Sequence, residues 1–170
     1  MKKLRVLFAL ALMLALFLTL SVPAFAASAQ YSTTQEFLNV LKREKHSYNY
    51  MGIDEDDDEE VDVVFSGDYL DKIPVEAYFD PDLDVVSMRC WQVIFFDKKD
   101  LADVLALVND LNSEYKFVKF VVDPEDESVD AEIDIPLREG EDAGELAYDA
   151  LYYIVVIVDE AYEKLAEFEV

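Results

Sequence analysis

The chain has 170 residues, with 38 acidic against 14 basic side chains, a formal net charge of −24, and a single histidine and cysteine. So acidic a surface repels nucleic acid and anionic lipid heads, which excludes both as partners. One histidine and one distant cysteine cannot supply the three or four ligands of a zinc site, and a lone Cys90 leaves packing rather than an internal disulfide to stabilise the fold.

Lys2, Lys3 and Arg5 form a positive start, an apolar run follows from Val6 to Leu20, and Ala24-Phe25-Ala26 supplies a small-x-small cleavage signal. The pattern predicts a secretory signal peptide over 1–26, cleaved after Ala26. The apolar run is shorter than the ~20 residues a spanning helix needs. No cysteine sits at the site to take a lipid anchor. The mature protein is therefore expected outside the cytoplasm, with no stable membrane insertion after cleavage. Residues 27–32 read as a short flexible leader, and 33–170 as one domain.

Thr33 and Glu36 have capping-box spacing, with Phe37, Leu38 and Leu41 on one face behind them, which predicts a helix over 34–44. A strand-prone stretch, 48–53, is interrupted by seven consecutive carboxylates, Asp54 to Glu60. Like charges at that density have no apolar side to bury and predict a solvated loop. Alternation then predicts strands over 61–65 and 75–79, with Ser66-Gly67-Asp68 as the turn. Asp80-Pro81-Asp82-Leu83-Asp84 reads as a hairpin connection into a long strand, 85–96. Val86, Met88, Cys90, Ile94 and Phe96 share one face of it, while Trp91, Val93 and Phe95 make its second half apolar on the other.

A helix over 97–112 carries the stripe Leu101, Val104, Leu105, Val108 and Leu111. Strands over 115–122 and 129–135 flank the turn Asp123-Pro124-Glu125-Asp126. A long helix over 142–168 closes the chain. The order is α-β-β-β-α-β-β-α, and grouped hairpins without regular βαβ alternation predict an α+β fold: an antiparallel sheet with helices on one face.

Asn109 and Asn112 end the middle helix, and the aromatic strand Tyr115-Lys116-Phe117-Val118-Lys119-Phe120 follows. This Asn-x-x-Asn, with the element order, resembles the YbjN-like family, proposed as bacterial sensory-transduction regulators and related in fold to type III secretion chaperones. The resemblance spans essentially the whole mature chain. It implies a partner-binding α+β domain without catalytic residues or cofactors, whose partner is another protein or a second copy of itself. An exported chain takes from it the fold and a general binding character.

The remaining chemistry is sparse. Asp54, Asp56 and Asp58 begin like an EF-hand, but Glu59 occupies the sixth position, where Gly is required, and Phe65 the twelfth, where Glu should chelate. They are weak cation candidates at best, and no metal is expected. Asp80, Asp82 and Asp84 fail in the same way. His46 follows a helix end and reads as a capping or surface residue, and Cys90 as a buried inert thiol. Asn109 and Asn112 read as amides that close the helix and bond the next strand. Most other carboxylates alternate with apolar residues or sit in turns, the pattern of an outer sheet face rather than an acid–base pair, and no Gly-x-Ser-x-Gly occurs. Trp91, Val93, Phe95 and Tyr78, with Tyr152 and Tyr153, exceed what a small core holds and mark an expected interaction surface. The leading expectation is a secreted, non-enzymatic binding domain. The alternatives are an extracytoplasmic cation-binding protein and a small carboxylate hydrolase.

Overall fold

The computed structural model describes residues 28–82, 84–137 and 142–170. The expected signal peptide and its cleavage site lie outside the described residues, as do Leu83 and Gly140. Helix α1 (Ser32–Glu44) leads into a meander of four strands: β1 (Tyr48–Ile53), β2 (Glu59–Phe65), β3 (Ile73–Asp80) and β4 (Val85–Phe95). A single 3-10 turn (Lys98–Asp100) opens α2 (Leu101–Glu114). The hairpin β5 (Lys119–Asp123) and β6 (Ser128–Pro136) follows, and α3 (Ala143–Leu165) ends the fold. All six strands form one antiparallel sheet in the order β1-β2-β3-β4-β6-β5.

The expected fold class holds, with one strand more before α2. The stretch 48–53 is a strand in its own right, paired with β2 from Tyr48↔Val63 to Ile53↔Glu59. The acidic run hid this hairpin, because Glu59 and Glu60 belong to β2 and only 54–58 form its turn.

Period-two burial puts Val61 and Val63, Val75 and Ala77, Val86 and Met88, and Ala131 and Ile133 on one face, where they meet the helices. α3 lies across this face through Leu151, Ile154 and Val158. α1 packs beside α3 so closely that a Cβ on Gly144 would stand 2.7 Å from the backbone carbon of Glu36, which reserves that position for glycine. Among the described residues the opposite face carries no helix. Its central cross-strand row reads Asn49, Asp62, Glu76, Arg89, Glu132 and Lys119.

Several boundaries shift for identifiable reasons. α1 starts at Ser32 without a side-chain cap, and Thr34 is buried, so the capping box at Thr33 and Glu36 does not form. The leader is also not free: the N–H groups of Gln30 and Tyr31 donate to Glu59 at 2.6 and 3.0 Å. β5 begins four residues late because Phe117 takes a left-handed φ of 73°. The stripe of α2 is narrower than expected, since Leu105 is exposed while Val104, Val108 and Leu111 are buried.

Candidate functional site

The open sheet face holds most of the residues the sequence singles out. On β4, Cys90 pairs with Ala131 and Ile94 with Val129, so three residues, 91–93, face Asp130 alone. This bulge turns on Gln92, whose φ is 54° and whose N–H donates to Asp130 Oδ1 at 2.7 Å. A bulge re-aims the side chains around it. Trp91 and Phe95 are 42% and 43% exposed, but Val93 is only 8% exposed and joins the core. The expected patch of Trp91, Val93 and Phe95 thus loses its middle member. Tyr78 is half-buried, and both its hydroxyl (2.6 Å) and Trp91 Nε1 (2.7 Å) donate to Glu76 Oε2. Burial, with Glu76 as acceptor, pushes the Tyr78 phenol well above its ordinary value.

Carboxylates gather beside these rings. Oxygens of Glu60, Asp62 and Glu76 lie within 4.8 Å of one another. Asp62 and Glu76 are direct cross-strand partners, a destabilising like-charge pair. Burial first, and then Glu76, raise the Asp62 carboxyl, while burial and Asp62 raise that of Glu60. Asp62 Oδ1 is shielded from solvent and meets no N–H or O–H donor. The weak metal candidates Asp54, Asp56 and Asp58 do not converge in this way. Asp54 Oδ1 instead accepts the N–H groups of Asp56 (2.9 Å) and Asp58 (3.0 Å), closing its own turn.

Of the two asparagines, Asn112 spans the gap to β5. Its Nδ2 donates to the Phe120 carbonyl (2.9 Å), and its Oδ1 accepts the Phe120 N–H (2.7 Å). It replaces a missing strand partner and pins α2 to the sheet edge. Asn109 is exposed on α2. The Cys90 thiol is buried and is pushed up to about 12, chiefly by desolvation and secondarily by Asp130 and Glu76. A thiol held protonated is a poor nucleophile.

The helical side of the molecule holds a second feature, which the sequence did not announce. α3 and the loop after β2 enclose a groove of about 680 Å³. Asp159 builds it. This buried α3 carboxylate reaches into the loop and accepts the N–H groups of Asp68 (2.7 Å), Tyr69 (3.0 Å) and Leu70 (2.8 Å). Burial opposes its charge, but the three donors outweigh that and hold its carboxyl below the usual range. Gly67 makes the approach possible, since a Cβ there would stand 2.0 Å from Asp159 Oδ1. The far wall is set by the turn after α1. Lys45 is left-handed and the His46 N–H returns to the Leu41 carbonyl at 2.9 Å, which aims His46 inward. His46 Nε2 lies 2.9 Å from the Tyr148 hydroxyl, and its ring is 5.0 Å from that of Phe65. His46 is thus half-buried in the groove wall rather than a plain surface residue.

From the groove an aromatic ribbon runs along the outside of α3. Tyr152 lines the groove and is 60% exposed. Its ring lies 6.5 Å from Tyr153, which in turn lies 5.2 Å from Phe117, itself 63% exposed. Three exposed rings touching in series form a continuous apolar surface.

A family model described as "YbjN: Putative bacterial sensory transduction regulator" matches residues 39–167. The chain belongs to the YbjN family. Among solved structures it is similar to one titled "Crystal structure of YbjN, a putative transcription regulator from E. coli". That likeness has a TM-score of 0.53 at 11% identity and covers 82% of this chain and 96% of that one. At such identity the likeness shows a shared fold. The comparison with curated proteins finds no match. The YbjN match contains both candidate surfaces, the open sheet face and the aromatic groove.

The groove has no local sequence signature because its parts, His46, Phe65 to Tyr69, and Tyr148 to Glu160, are far apart in the chain. Two signals were nonetheless available. Asp159 follows Val155 by four residues, a carboxylate on an apolar stripe. Glu59 shares its parity with Val61 and Val63, a carboxylate at a core-facing strand position. Both are buried and both are taken up by backbone N–H groups.

Proposed function

We propose that this YbjN-family chain is a non-enzymatic domain that binds another polypeptide outside the cytoplasm. The aromatic ribbon and groove along α3 are its contact surface. The observation that carries the reading is the unbroken series Phe117, Tyr153 and Tyr152 opening into a groove of about 680 Å³. Aromatic rings combine large apolar area with few rotatable bonds, which is why they concentrate in protein interfaces. The groove falls within the usual size range of ligand pockets.

Catalysis finds less support. The buried carboxylates Glu59, Asp130 and Asp159 are each engaged by at least one backbone N–H, and the Cys90 thiol stays protonated. The extracytoplasmic setting rests on the charged start, apolar run and Ala24-Phe25-Ala26 of the first 26 residues. No described helix is long and apolar enough to cross a membrane.

The test is capture from culture medium and cell envelope on the immobilised exported protein, run beside a Tyr152→Ser/Tyr153→Ser variant. A partner held by the parent and lost by the variant is the expected result. A partner held equally by both would move the contact surface elsewhere. N-terminal sequencing of the exported form should begin at Ala27, and an intact Met1 in a membrane fraction would contradict the assignment of export.

A further inference from the structure

The lining of the α3 groove has an unusual charge balance. Phe65, Tyr69, Tyr148 and Tyr152 contribute rings, Asp68, Asp159 and Glu160 contribute carboxylates, and the one basic side chain is His46, engaged with the Tyr148 hydroxyl, with no lysine or arginine beside it. Arg43, at the end of α1, is drawn off by Glu145, which takes its Nη2 at 2.9 Å, and by Glu44. Tyr69 is steadied from outside by Glu163, whose carboxylate accepts its hydroxyl at 3.3 Å. The whole chain carries −24.

These facts narrow the chemistry of an occupant. An acidic segment would meet like charge at the rim. A purely apolar side chain would fill the groove but desolvate Asp68 and Glu160 without return. A long cationic side chain meets both demands. Its alkyl stem can lie on the apolar wall, with the charged head at the polar rim. Ring faces carry negative electrostatic potential, so they add to the pull of the carboxylates instead of opposing it.

We propose that the groove between α3 and the β2–β3 loop seats a lysine or arginine side chain of a partner polypeptide, between the Tyr69, Tyr148 and Tyr152 rings and the Asp68 and Glu160 carboxylates. This rests on the reading of the α3 face as the contact surface, and adds to it the charge and shape of what is bound.

The test uses the exported protein, isotopically labelled for amide NMR, at about 0.15 M salt, where charges more than about 8 Å apart are largely screened. One arm titrates a capped peptide of alternating lysine and leucine. A second titrates the same peptide with every lysine acetylated, which keeps the stem and removes the charge. The expected result is saturable shifts at Gly67, Asp68, Tyr69 and Tyr152, with the charged peptide binding at least about threefold tighter. Tyr152→Ala, an exposed change that leaves the core intact, should weaken the charged peptide by about three- to tenfold, the scale of one cation–ring contact. Asp103→Asn on exposed α2 should leave it unchanged. Equal binding of both peptides in the groove would overturn the cationic assignment and leave the contact surface standing. Shifts scattered over the acidic surface and indifferent to Tyr152→Ala would overturn the proposal. If neither peptide moves the groove amides, the contact surface falls with it.

Discussion

Both sides of the sheet expose aromatic rings, but in different company. On the open face, Trp91 and Tyr78 are tied to Glu76, and Val93, which would have joined Trp91 to Phe95, is turned into the core. Trp91 and Tyr78 thus spend their polar atoms on one carboxylate, beside a cross-strand row of charged residues. On the helical side, Phe117, Tyr153 and Tyr152 touch one another and lead into a groove. The carboxylates differ in the same way. Asp159 is held below its usual range by backbone donors, whereas Glu60 and Asp62 are raised, first by burial and then by a neighbouring carboxylate, Asp62 acting on Glu60 and Glu76 on Asp62. The rings of the helical side are continuous, and a buried carboxylate holds the loop that walls the groove they lead into.

The largest effect should come from removing that carboxylate. Asp159→Ala leaves three backbone N–H groups of the loop without an acceptor, and charge-assisted bonds of this kind cost about 3 kcal/mol or more when lost together. Denaturant unfolding measures it. Gly67→Ala should cost nearly as much, about 2 kcal/mol, because its Cβ collides with Asp159. On the open face, Glu76→Gln should cost less than about 1 kcal/mol or stabilise slightly, since it relieves Asp62 directly opposite. A cost for Glu76→Gln equal to that of Asp159→Ala would erase the distinction between the two sides.

The two kinds of carboxylate also respond oppositely to pH. Asp159 and Glu59 have folded carboxyl values below the unfolded one of about 4. At Glu59 burial opposes the charge, and the Tyr50 hydroxyl and backbone donors overcome it. The stability these two contribute is fully present above the unfolded value and is lost as pH falls through the folded one. Glu60 and Asp62 are raised, so between their folded and unfolded values the folded state binds more protons, and stability increases as pH drops through that window. Thermal unfolding followed from pH 7 downward should therefore rise slightly and then fall. Asp62→Asn should remove much of the rise, and Glu59→Gln should flatten the fall after lowering stability at neutral pH.

Much of this was legible in the sequence. The alternation in β2 and β3 and along the core face of β4 placed much of the core, because burial on one side leaves its period in the residues. Asn112 also behaves as its position implied, bonding the next strand's backbone at Phe120. Three things were hidden for physical reasons. Charge density at Asp54 to Glu60 masked the parity that buries Glu59 beside Val61. The β4 bulge turns on Gln92, a residue with no special tolerance for its left-handed backbone, so nothing announced that Val93 would face inward. The groove depends on tertiary contacts between α3 and the β2–β3 loop, which no local period encodes.

Hydroxyl-radical footprinting of the exported protein, alone and with a captured partner, compares the two sides within one sample. All the aromatic side chains concerned are exposed enough to be oxidised in the free protein. The partner is expected to protect Phe117, Tyr152 and Tyr153 and to leave Trp91 and Phe95 as reactive as before. Protection of Trp91 and Phe95 with Tyr152 and Tyr153 still oxidised would contradict it and move the contact surface to the open face of the sheet.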